Sequence, residues 1–224
     1  MKNDFLNLNA QTIAQRIIKD IEKLPVKNAP SMRPVLMAWS KQLNEHPGEF
    51  IIELAREMLK ITNQKWLPFE LILEHPNALS LIDEKICAEF AADLVGWGDV
   101  DAFAGYISGH AWRRGQISDA FIHSWARSEN RWLRRAALVS TVPLNRKAAG
   151  GTGDVPRTLA VCKILADDKD DMVVKALSWA LREVIKHDRN AVEKFLSEYE
   201  NVLAGRVKRE VRNKLETGVK NPKR

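Results

Sequence analysis

A chain of 224 residues that is 45% hydrophobic and 29% charged has the balance of an ordinary globular protein, long enough to bury one sizeable core. It holds no apolar run of about eighteen residues, and Met1-Lys2-Asn3-Asp4 lacks the charged-then-apolar start of a secretion signal. This excludes a helical membrane span and sets the expectation of a cytoplasmic protein with no membrane partner. The net charge of +6 excludes an acidic solvating chain and directs attention to polyanions.

Nearly every periodic segment repeats at 3.6 residues, and none alternates with the period of a strand. Asn9 is placed to cap a first helix carrying Ile13, Ile17, Ile18 and Ile21, which stops before Pro25. Pro30 to Pro34 opens a second, with Leu36, Trp39 and Leu43 inward, and His46-Pro47-Gly48 ends it. A third starts near Glu49 and buries Ile52, Leu54, Ala55, Met58 and Leu59, and a fourth lies around Pro68. The fifth is predicted over Ile82–Val95, stopped by Gly96 in the manner of a left-handed helix end. A sixth, beginning near Asp99, gives out by Ser108-Gly109. Six more follow: Ile117–Ala126, Glu129–Val142, Pro156–Ala166, Met172–His187, Ala191–Tyr199, and Gly205 to about Leu215. The glycine-rich stretch 148–154 is expected to be a flexible surface loop, since it lacks the Lys-Ser/Thr ending of a P-loop.

Helix pairs joined by short Pro, Gly, Ser or Asp breaks predict an all-α chain, an α-solenoid of about five to six HEAT-like antiparallel helix pairs with one concave face. A single repeat domain over residues 1–224 is expected. Cys87 and Cys162 sit inside apolar helical patterns with no CxxC spacing, so both are expected as buried thiols. His46, His75, His110, His123 and His187 are scattered without HExxH or a Cys/His cluster, so no metal is expected.

The charge is concentrated. Between Trp112 and Ala149 eight basic residues face two acidic ones, a local +6, and the same balance recurs between Gly205 and Arg224, which leaves the rest of the chain at −6. Two basic segments in the C-terminal half look like a footprint for a polyanion. Within them Ser128 is expected to cap the next helix, fixing where Trp132 and Arg135 point. In the helix after Asp171 the apolar set Val173, Val174, Leu177, Ala180, Leu181 and Val184 marks the core side. Lys175, Trp179, Arg182 and Lys186 run along the other side, three cations around an indole that offers a flat surface to a base or sugar. The same set also fits Trp179 docked on the next repeat beneath snorkelling cations. Upstream, Gly96-Trp97-Gly98-Asp99-Val100-Asp101 places an aromatic and a carboxylate one turn apart, with Asp101 expected in the first turn of its helix, where free N–H groups favour an ionised acid.

These pieces resemble the AlkD-type DNA alkylation repair glycosylases, built of HEAT-like repeats. The resemblance is strongest over 95–215 and rests on three stretches in order: Trp97-x-x-x-Asp101, then Trp125-x-x-Ser128-x-Asn130-x-Trp132-x-x-Arg135-Ala136-Ala137, then Lys175-Ala176-x-x-Trp179-x-Leu181-Arg182-Glu183. It implies that Trp97, Asp101, Arg135 and Trp179 line a DNA-facing cleft, with Asp101 the catalytic carboxylate. Gly98 stands where relatives often carry a second aromatic. The implied activity is monofunctional hydrolysis of the N-glycosidic bond of a cationic alkylated purine, of the 7-methylguanine or 3-methyladenine type, in duplex DNA, without a cofactor. DNA contacts fall to Arg135, Lys175, Arg182, Lys186, Arg131 and Trp132, with the backbone phosphates held by Arg135 and, as weaker candidates, Arg182 or Lys175, and a monomer with no obligate protein partner is expected. Two alternatives stay open on the residues alone: a non-catalytic nucleic-acid binder on the same scaffold, and an α-solenoid that holds a protein partner.

Overall fold

Side-chain caps start most of the helices. In the computed structural model, which describes residues 8–222, Asn9 Oδ1 accepts from Thr12 N at 2.8 Å and opens α1 (Ala10–Glu22), whose Ile13, Ile17 and Ile21 are buried. Asn28 and Ser31 form a reciprocal capping box at the start of α2 (Ala29–Leu43), which begins one residue before Pro30. α3 (Gly48–Ile61) and α4 (Trp66–Glu74) follow, then a 3-10 turn at Ala78–Leu81. α3 packs on α1 and α4, and Arg33 on α2 grips Glu70 on α4 through two hydrogen bonds of 2.6 and 3.0 Å.

The chain divides into two compact units between Ile82 and Asp83. The second contains the stretches singled out above. It begins with α5 (Glu84–Ala91), shorter than the predicted Ile82–Val95, capped by Asp83. After α6 (Trp97–Phe103) comes a π-helical turn, Ala104–Ser108, which runs straight into α7 (Gly109–Arg113). The expected stop at Ser108-Gly109 is therefore absent. Gly109 is there for close packing: a Cβ on it would lie 2.7 Å from Pro143 Cγ and from the Ser140 carbonyl oxygen. The remaining helices are α8 (Asp119–Ala126), α9 (Arg131–Val139), α10 (Val142–Asn145), α11 (Val155–Ile164), α12 (Asp171–Val184), α13 (Arg189–Glu198) and α14 (Gly205–Thr217).

Their packing is that of stacked pairs. α6, α9, α12 and α14 touch in succession and form one layer, while α5, α8, α11 and α13 each back onto a member of it. No strand occurs among the described residues, so the protein is all-α, with the helix-pair stacking of an α-solenoid. The glycine stretch before α11 is pinned, contrary to the expectation of a flexible loop. Gly151 N donates to the Arg146 carbonyl and Gly153 N to that of Leu144, and Gly151 is buried so closely on Pro143 and Leu144 that no side chain fits. Both cysteines are free and buried as expected, and burial pushes the Cys87 thiol up to about 12.

Candidate active site

Gly96, at φ +106°, turns the chain so that α6 begins at Trp97. Trp97 heads the helix with 61% of its surface exposed, an unusual state for the largest side chain. Because the helix starts two residues before the predicted Asp99, it is Asp99 that occupies the first turn, and Asp101 sits beyond the free N–H groups. The helix terminus thus does not hold the Asp101 carboxylate.

Arg135 does. From α9 its Nε donates to Asp101 Oδ1 and its Nη2 to Asp101 Oδ2, both at 2.8 Å, the fork-to-fork geometry of the strongest ion pairs. Its Nη1 donates to the Met172 carbonyl at 2.5 Å, at the first turn of α12. One guanidinium therefore ties together three successive helices of the same layer. The pair is mostly dry: the side chains of Arg135 and Asp101 are 7% and 19% exposed. Burial raises the Asp101 carboxyl above its ordinary 3.8, and the hydrogen bonds and charge of Arg135 pull it back part of the way.

The other named residues lie on α9, on α12 and just beyond the end of α12. The cap of α9 is Asn130, whose Oδ1 accepts from Trp132 N at 2.9 Å; the expected cap Ser128 instead accepts from Asn130 N. Arg131 lies over the Trp132 ring at 4.8 Å and pairs with Asp170 at 3.5 Å. On α12 Lys175 pairs with Asp171 at 2.6 Å, and in the turn after it Lys186 pairs with Glu183 at 2.7 Å. Arg182 Nε donates to Ser178 Oγ at 3.3 Å. Trp179 is half-buried, its indole N–H pointing at Glu183 Oε1, 3.3 Å away. Trp125 is not on this surface; it is buried against Phe103 and Phe121.

A family model described as "DNA alkylation repair enzyme" matches residues 7–215, almost the whole chain. The chain belongs to that family. Comparison with curated proteins and with solved structures gives no match. Membership in the DNA alkylation repair enzyme family makes DNA repair the setting and DNA the partner, and extends the likeness well upstream of residue 95.

Within this family member the two basic segments do not act as blocks. Arg134 is taken up by structure: it donates to Asp168 at 2.7 Å and to the carbonyls of Ser128 and Glu129, clamping the turn before α9. In the last segment Arg206 pairs with Asp171 and Glu210, Lys208 and Arg212 with Glu200, and Lys220 with Glu210; Lys223 and Arg224 lie outside the described residues. Sequence reasoning missed Glu210, which is 2% exposed and accepts from Ser178 at 2.6 Å behind Arg182. Nothing local to either residue signals that contact, since it spans two helices. No group of three or more metal-capable side chains occurs among the described residues, and none of their helices is long and apolar enough to cross a membrane.

Proposed function

We propose that the protein is a monofunctional DNA glycosylase that hydrolyses the N-glycosidic bond of cationic alkylated purines, of the 7-methylguanine and 3-methyladenine type, in duplex DNA. The observation that carries it is the carboxylate of Asp101, locked by Arg135 and one turn from the exposed indole of Trp97 on the same helix. A positively charged base leaves with the bond's electron pair and becomes neutral, so no strong acid is needed; the work lies in stabilising an oxocarbenium-like sugar and placing a water.

A carboxylate has about four lone-pair sites and Arg135 occupies one on each oxygen, which leaves acceptor capacity for the attacking water and for the sugar's developing charge. The water oxygen bonds to the anomeric carbon and its proton passes to Asp101 or solvent. Trp97 and Trp179 present ring faces that favour a nearby cation. Arg135 acts as the residue that fixes the carboxylate. Its charge is committed in the dry pair, and phosphate contact falls instead to cations in cheap, exposed pairs. Lys175, Lys186 and Arg131 are each at least a third exposed; the pair of Lys175 with the exposed Asp171 is worth at most about 1 kcal/mol, so a phosphate displaces that partner easily. Arg182 and Trp132 complete that surface. The enzyme works as a monomer without a cofactor.

One observation favours a second reading, a DNA binder without chemistry: Asp101 is already matched by a full positive charge. Release of 7-methylguanine from methylated duplex DNA, measured side by side for the parent and Asp101→Asn, separates the two. The parent releases base and the variant loses on the order of a hundredfold or more while still binding DNA; equal rates refute the proposed role of Asp101. Borohydride is expected to trap no covalent adduct, since no lysine stands out in the sequence as a Schiff-base nucleophile, and a trapped adduct refutes the monofunctional reading.

A further inference from the structure

Glu210 has no part in the chemistry above, yet it is a carboxylate with 2% of its surface exposed, on α14. An acid so deeply buried is costly unless its partners are close. Its two cations are not: Arg206 Nη1 lies 3.7 Å from Oε1 and Lys220 Nζ 3.4 Å from Oε2. Its short contact is with Ser178 of α12, fully buried, whose Oγ donates to Oε2 at 2.6 Å. A serine hydroxyl carries one proton, and Glu210 takes it, so toward any other neighbour the Oγ can only accept. That neighbour is Arg182, one turn further along α12, whose Nε donates to the same Oγ at 3.3 Å. A hydroxyl already donating to a carboxylate is the better acceptor for it. The three side chains form a line from α12 to α14.

This line holds Arg182 by Nε alone. Neither Nη nitrogen has a hydrogen-bond or ion-pair partner among the described residues, and neither is sealed from solvent. Arg135 is the opposite case, with Nε and both Nη nitrogens committed. Lys175, Lys186 and Arg131 each carry an acid partner. A direct contact between Glu210 and Arg182 would have spent the guanidinium in the same way; the interposed serine keeps the Nη fork open. Such a fork, already steadied at Nε, matches two oxygens of one phosphate.

We propose that Ser178 and Glu210 are positioning residues: through the Ser178 hydroxyl, Glu210 steadies the Arg182 guanidinium so that its two free Nη groups grip one backbone phosphate of duplex DNA. This rests on the reading of Arg182 as part of the DNA surface, and since it concerns binding it is tested on unmodified duplex, apart from base release.

The test is a double-mutant cycle on duplex affinity, Ser178→Ala with Arg182→Ala, repeated with Glu210→Ala in place of Ser178→Ala. Alanine at 178 suits a helix interior and leaves Glu210 its two cations, so that variant folds and carries the test by itself. Arg182→Ala weakens binding about tenfold and lowers the salt slope by about one phosphate. Ser178→Ala weakens it about threefold to tenfold, the loss expected when a held guanidinium regains its rotamers. In the Arg182→Ala background neither Ser178→Ala nor Glu210→Ala changes affinity by more than about twofold. A merely structural role, or an effect of the charge of α14 on DNA, gives the same loss in both backgrounds and overturns the proposal. So does parent affinity in folded Ser178→Ala or in Arg182→Ala. Release of 7-methylguanine is measured on the parent alongside: a parent that binds duplex but releases no base removes the glycosylase reading and leaves the cycle to judge Ser178 and Glu210.

Discussion

Replacing Arg135 with methionine removes the guanidinium while keeping much of the side chain's volume, and it strands the Asp101 carboxylate and the Met172 carbonyl. Breaking a buried pair by deleting one partner costs about 3–5 kcal/mol. Asp101 retains 19% exposure, so water softens the loss and the lower end, about 3 kcal/mol, is expected. For a chain of this size that is a drop in Tm of about 6–12 °C. The pH dependence has a definite sign. Asp101 is an acid whose folded pKa is raised, and Arg135 is what limits the rise. Without Arg135 the pKa climbs further; the penalty is absent below the ordinary value of 3.8, where the carboxyl is neutral in both folded and unfolded chains, and grows as pH rises through the folded value. Unfolding followed by circular dichroism at neutral pH and again near pH 4 therefore shows the gap between parent and variant narrowing in acid. Adding Asp101→Asn to Arg135→Met recovers part of the loss, because no charge is then left unpaired. A variant that loses less than about 1 kcal/mol at neutral pH, or a gap that does not narrow in acid, refutes the view that Arg135 holds an ionised Asp101.

Two further outcomes are expected. His110 is 8% exposed, and burial, then Arg113 and Arg114, lower its pKa from 6.5 to about 4. A base with a depressed pKa contributes stability that is complete above 6.5 and lost as pH falls toward about 4, here about 3 kcal/mol; His110→Asn should flatten that part of the stability–pH curve, and an unchanged acid slope contradicts the assignment. Raising salt from about 50 to about 200 mM should weaken affinity for unmodified duplex by about tenfold or more if several phosphates are neutralised, and a flat salt dependence in a filter-binding titration removes the exposed cations from the DNA surface.

The elements themselves were legible because their signals are local. Asn9 as a cap, the isoleucine stripe of α1 and the apolar face of α12 are all carried by residues within a few turns of one another. The misses came where a distant contact decides. Ser108-Gly109 reads as a breaker in sequence, but Gly109 serves the approach of Pro143 and Ser140, and the π turn carries the helix through. Gly150-Gly151-Thr152-Gly153 reads as slack, but Gly151 is a buried contact with Pro143 and Leu144. Ser128 and Asn130 are both good caps by type, and only geometry selects Asn130.

Asp101 illustrates the division most clearly. Its identity came from the order of three short stretches, yet the physical reason first attached to it, a helix terminus holding an anion, is not the one the structure uses. The partner is 34 residues away on α9, and its third hydrogen bond reaches α12. The same contrast sorts the cations. Net charge counts Arg131, Arg134, Arg135, Lys175 and Lys186 alike, but their usefulness to a phosphate depends on what each already holds. Arg134 and Arg135 are 19% and 7% exposed and carry several hydrogen bonds apiece, so displacing their carboxylates would leave buried anions unpaired. Lys175, Lys186 and Arg131 are themselves at least a third exposed and each pairs with one carboxylate, of which only the partner of Lys175, Asp171, is well exposed, at 56%; that exchange for a phosphate costs least. A basic stretch of sequence thus becomes two sets of residues with different work: a dry set that fixes one carboxylate and one turn, and a wet set around it that trades its acids for the backbone of DNA.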